Sequence, residues 1–241
     1  MINFGKASAH IRHTLGGELS PDLDLASIMN DAGNFMTAVY PWKWLEATSS
    51  AITLADGALT DLDSSAPNFV ELIGYSPRGT DSRITSGAVA FLVSPQELQD
   101  LRQSTHTIPA TTNYFAVVYD SAGGSGLIRP QLDAEVGATA ISDLRLRYRK
   151  GWAAVSDDTS TFTMPNWMEP VYMQCLRAFA RGYEEEDVAS LSQRLQDIRN
   201  GPLVAAAVER DPRMTTYKRF RTGPQQEWGV PGTHNAGTPR A

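Results

Sequence analysis

A chain with one cysteine closes no internal disulfide, and Cys175 alone also excludes a site built from several thiolates. No apolar run approaches the roughly 18 residues that a spanning helix needs, so no membrane partner is expected. The opening MINFGKASAHIRHTLGG lacks the charged, apolar, small order of a secretory leader, and the lone cysteine needs no oxidising compartment, so folding or assembly in the cytosol is the expectation. Histidine is scarce. His10 and His13 share one side of a predicted helix but have no third ligand at metal spacing, so they read as surface residues. Basic residues are outnumbered 21 to 27 and the net charge is −6, which argues against a general nucleic-acid binder. The sequence holds no P-loop, dinucleotide fingerprint or nucleophile motif. Ser125-Gly126 in AGGSGL follows no helix-opening pattern and reads as a hairpin loop. No cofactor or metal is expected, and no internal repeat is visible.

What is present is an ordinary globular composition, 41% apolar and 20% charged, in a chain of 241 residues that can bury a core without staples. A short helix is expected over 2–16, ended by Gly16-Gly17. A second begins at Ser20-Pro21 and Asp22. It carries Leu25, Ile28, Met29, Ala32, Phe35, Met36 and Val39 on one stripe and stops at Pro41. From residue 47 to about 163 the helical period fades. Short β-branched and aromatic runs at 51–54, 68–73, 88–93, 114–119, 126–128 and 144–148 predict strands between turn clusters. Leu144-Arg145-Leu146-Arg147-Tyr148-Arg149 alternates strictly, as a half-buried strand with a wet, cationic outer face would. One helix interrupts the strands at 95–103, with Ser94 as its cap.

The helical period returns after Pro165. Asn166 with Glu169 forms a capping-box pattern disturbed by Pro170, and Met168, Tyr172, Cys175, Phe179 and Tyr183 give an apolar face. A further helix is expected over 184–200, its acidic opening Glu184-Glu185-Glu186-Asp187 and basic end Arg199 matching the helix dipole. An alanine-rich segment follows Gly201-Pro202. The predicted architecture is α+β. N-terminal helices (1–45) and C-terminal helices (164–209) form one bundle, with an inserted antiparallel β-lobe (46–163) and an extended basic tail (210–241).

Candidate functional residues fall in three groups. In the tail, Arg210, Arg213, Lys218, Arg219, Arg221 and Arg240 stand against only Asp211 and Glu227, and Tyr217, Phe220 and Trp228 interleave aromatics with the bases. Such a segment grips nucleic acid by stacking or inserts into an acidic groove of a protein. The acidic body favours the protein. Trp42 and Trp44, with Trp167, read either as an anchor between bundle and sheet or as a subunit-interface hot spot. Asp157-Asp158, with Glu184, are the residues a metal-dependent hydrolase or nuclease would use, but paired acids before a Ser/Thr-rich stretch more often form turns.

Three segments together resemble the head-to-tail connector (adaptor) proteins of tailed bacteriophages. One is IMNDAGNFMTAVYPWKWLEATSSAITL, a helix followed by Trp-x-Trp and a strand. The second is LRLRYRKGWAAVSDDTSTFTMP, a strand closing the β-lobe. The third is WMEPVYMQCLRAFARGYEEEDVASLSQRLQDIRNG, a helix pair leading into a basic Gly/Pro-rich end. Ala66-Pro67-Asn68-Phe69 partly matches a further family segment. The resemblance implies a homo-oligomeric ring, commonly of twelve copies, in the virion neck. The tail would dock into the portal protein, the β-lobe would meet a tail nozzle or fibre protein, and double-stranded DNA would pass through without sequence-specific binding. An acidic lumen suits such passage. A different neck ring, a stopper or tail-completion protein, fits the same pattern.

Overall fold

The computed structural model describes residues 2–17, 23–76, 88–104, 107–121, 128–157, 159–185 and 188–211. Met1–Asp211 form one unit, and the stretch 212–241 lies outside the described residues. The protein is mixed α+β.

Helix α1 spans Phe4–Thr14 and is capped by Asn3, whose Oδ1 accepts from Lys6 N at 2.9 Å. It ends where Gly16 and Gly17 take φ of 85° and 103°, a region closed to most side chains. Helix α2 covers Leu25–Val39. Its cap is Asp24, which accepts from Ala26 N and Ser27 N; the expected start signals at 20–22 fall outside the described residues. Ile28, Met29, Ala32 and Met36 are buried along its stripe, as their spacing requires. Helix α3 is Pro95–Gln103 and carries a full capping box between Ser94 and Glu97.

The capping box expected at Asn166 does not form. Asn166–Met168 make a 3-10 turn instead, and α4 (Glu169–Glu185) starts with Pro170 in its first turn, where no amide hydrogen is needed. A second correction concerns the acidic run. Glu184 and Glu185 close α4 rather than opening the next helix, because the apolar face of α4 continues to Tyr183, whose hydroxyl donates to Asp31 at 2.7 Å. Helix α5 is Val188–Arg199, and α6 is Pro202–Arg210. Helix α4 packs against α1, α2, α5 and α6, and residues from both ends of the chain share one apolar cluster including Ile11, Met29, Met36, Trp42, Tyr172 and Leu176.

Gly33 explains how the following loop reaches this cluster. A Cβ there would lie 2.2 Å from the Trp152 ring, so only glycine lets the indole lie on α2. Trp152 stacks on Tyr172 with centroids 5.4 Å apart, and its Nε1 donates to Asn30 Oδ1 at 3.2 Å. Asn30 also accepts from Val155 N and donates to Val155 O, which fixes the loop.

Among the described residues, seven strands make two sheets. They are β1 (Glu46–Thr48), β2 (Thr60–Asp61), β3 (Phe69–Tyr75), β4 (Val89–Leu92), β5 (Thr112–Ser121), β6 (Ile128–Val136) and β7 (Leu146–Lys150). The orders are β1-β7-β3 and β2-β6-β5-β4. Both sheets contribute to a second apolar cluster containing Phe115, Leu132, Leu146 and Tyr148, and Tyr75 meets Phe115 edge-on at 5.1 Å. The expectation of a wholly antiparallel lobe is wrong in one pair. Strand β4 runs parallel to β5, because α3 lies between them and returns the chain in the same direction. The run 51–54 makes only an isolated bridge, Ile52 to Leu144. Strand β6 extends well past the expected 126–128, and α3 packs over it and β5.

The alternation at 144–149 is observed, with Leu144, Leu146 and Tyr148 buried. Its outer face is not an open cationic surface, however. Arg145 pairs with Asp143, Arg147 with Glu46 and Arg149 with Glu71, so carboxylates neutralise each guanidinium.

Candidate functional site

The Trp-x-Trp segment follows α2 and leads into β1. Trp42 has no exposed surface; its Nε1 donates to Met36 O at 2.9 Å, its ring meets Tyr40 edge-on at 4.9 Å, and Trp167 lies 6.0 Å away. The segment 43–45 is a single 3-10 turn. It sets the two indoles differently: Trp42 is buried, whereas Trp44 and Trp167 are half-buried against the same cluster. Trp44 Nε1 is buried without a hydrogen-bond partner among the described residues.

Sequence reading assigned no role to Asp211. It is almost fully buried, and its Oδ2 accepts from Lys43 N at 2.7 Å, so the last described residue holds the turn between the tryptophans. Lys43 Nζ in turn pairs with Glu46, which also accepts from Arg147 Nε at 3.1 Å. This polar chain runs from the end of α6 to the first sheet. Burial pushes the Glu46 carboxyl up, but hydrogen bonds from Lys43 and Arg147 outweigh it and hold the group below its ordinary value. The visible signal for Asp211 was its place between a helix and a proline, where the chain must turn.

Arg210, the final residue of α6, is exposed. Arg213, Tyr217, Lys218, Arg219, Phe220, Arg221 and Trp228 lie outside the described residues.

Among the described residues, the acidic candidates Asp157 and Glu184 lie on separate elements. Asp157 accepts from Thr159 N and Oγ1 and from Ser160 N and Oγ, which makes it a turn former. The side-chain bond from Thr159 leads the causes that lower its pKa. Asp158 lies outside the described residues, and Glu184 ends α4 on another element. Among the described residues no group of three or more His, Cys, Asp or Glu side chains is placed to hold a metal. His10 packs toward α4. Burial and the nearby Arg177 guanidinium lower its pKa against a hydrogen bond with the Met173 backbone. Cys175 is a core residue, and burial pushes its thiol up to about 12.

Clefts open among the described residues. One of about 630 Å³ lies between α2 and α5, walled by Phe35, Leu191 and Leu195, with Val188 beside them 78% exposed. A smaller one, about 130 Å³, lies beside Trp44 and Trp152. A third, about 270 Å³, opens between α4 and α5. None of the described helices is long and apolar enough to cross a membrane.

No protein-family model matches the chain, and no curated protein matches it in sequence.

Proposed function

We propose that the protein is a structural component of a virion rather than an enzyme. More narrowly, it is the adaptor subunit that joins a phage portal to the tail, as a ring commonly of twelve copies that lines the DNA exit channel. The observation that carries this reading is the anchoring of the α6 end. Asp211 is held against the Trp42–Trp44 turn at the junction of the helical and β cores, within the first residues of the basic, aromatic stretch 210–241. The sequence beyond Asp211 is rich in arginine and aromatics and poor in the apolar residues needed for a core of its own.

The helical part would form the body of the ring, and the two-sheet lobe would meet a tail nozzle or fibre protein. The acidic body suits a channel through which DNA slides without sticking. Ordering the tail on docking costs conformational entropy, which a large interface repeated around the ring offsets. The setting is the virion neck, after assembly in the host cytoplasm.

Deleting Met214–Ala241 and measuring retention on purified portal tests the docking role. Retention lost on deletion supports it, and unchanged retention rejects it. The hydrolase reading is weaker, because Asp157 Oδ1 already accepts from Thr159 and Ser160 of its own turn.

A further inference from the structure

We propose that the cleft between α4 and α5 binds a phosphate group, gripped by Arg177 and Arg181 with Arg194 on the opposite wall. The cleft of about 270 Å³ is lined on α4 by Gln174, Arg177, Ala178 and Arg181, and on α5 by Arg194, Asp197 and Ile198. Arg177 and Arg181 lie one helical turn apart and so present two guanidinium forks along one face. Both side chains are exposed, and neither has a carboxylate of the described residues within ion-pair distance.

Acidic residues outnumber basic ones, and Arg102, Arg129, Arg145, Arg147 and Arg149 of the β-rich part each hold a carboxylate. Arg177 also stands close enough to His10 to disfavour the imidazolium, so the positive field extends beyond the cleft. The one carboxylate in the cleft is Asp197, whose Oδ1 accepts from Gln193 on its own helix at 3.0 Å. Asp197 opposes an anion.

A phosphate carries more charge than a carboxylate and offers enough oxygens to accept from two guanidinium forks at once. Two sources share this chemistry, a free phosphate and the phosphodiester backbone of duplex DNA. The proposal stands independently of the adaptor reading.

The test uses the full-length chain. Inorganic phosphate and pyrophosphate are titrated by calorimetry. A labelled duplex is followed by anisotropy at low and moderate salt, because backbone contacts weaken steeply as salt rises. Saturable phosphate binding that falls at least tenfold in Arg177→Gln/Arg181→Gln, tightens in Asp197→Asn and is unmoved by Arg12→Gln supports a free-phosphate site. The same variant pattern with duplex alone assigns the backbone as the source. No saturable binding of either probe overturns the proposal, as does binding indifferent to the Arg177/Arg181 change. Tighter binding of a glutamate-rich peptide than of either phosphate probe also overturns it. Because the substituted arginines are exposed, urea melts of the variants should overlay that of the parent.

Discussion

Replacing Gly33 with alanine sets two effects of opposite sign against each other. In a helix interior alanine is favoured over glycine by about 1 kcal/mol, so on propensity alone the variant would be more stable. The new methyl, however, would sit 2.2 Å from two carbons of the Trp152 ring, well inside contact distance. Trp152 cannot simply swing away. It is held by the stack on Tyr172, by Phe162 at 5.8 Å and by the hydrogen bond to Asn30. Overpacking of this kind costs about 1–3 kcal/mol. Moving the indole forfeits about 1 kcal/mol of hydrogen bond and a similar amount of stacking. The net expectation is a loss of about 2 kcal/mol, or a Tm lowered by roughly 4–8 °C in a protein of this size. Urea unfolding followed by tryptophan emission reads it directly. In a Trp152→Leu background the obstacle is smaller, and the same Gly33→Ala change should cost much less or turn favourable. A single variant as stable as the parent, or more so, would refute the close approach of Trp152 to α2.

Further outcomes follow from other residues. Asp211→Ala removes the acceptor for Lys43 N and should cost about 1–2 kcal/mol by analogy with loss of a helix cap, with little change in the far-ultraviolet spectrum. Trp42→Leu removes a wholly buried indole and its bond to Met36 O; a loss of about 3 kcal/mol or more in urea unfolding is expected, and a loss below about 1 kcal/mol would contradict its burial. His10 is held below its ordinary 6.5 by burial and by Arg177, with His13 adding to the repulsion. The unfolded chain therefore takes up the proton first, and the contribution of neutral His10 is complete above pH 6.5 and lost as pH falls through the folded value. A His10→Gln variant should show a shallower fall in stability between pH 7 and 5, and an unchanged slope would contradict the assignment.

The helical parts were the most legible. The stripe of α2 and the Ser94–Glu97 box of α3 are local signals, and tertiary structure had no reason to override them. Strand β6 was hidden because its outward positions are Asp133 and Glu135, which look like loop residues until Arg102 of α3 reaches both. The same blindness to distant charge made the arginines of β7 look solvent-facing. The end of α4 was misplaced because acidic residues suggest a helix start, yet Tyr183 had a partner in Asp31 on another helix. Of the candidate site, the tryptophans were visible from composition, but Asp211 was not, since its partner Lys43 lies 168 residues away. The parallel pairing of β4 and β5 depends on where α3 packs, which no local pattern records.

The central claim is a ring seated on a portal, and electron micrographs of the purified full-length protein mixed with assembled portal test it most directly. The account predicts added annular density beneath each portal with matching rotational symmetry. Bare portals beside single, unassociated copies of the chain would contradict it.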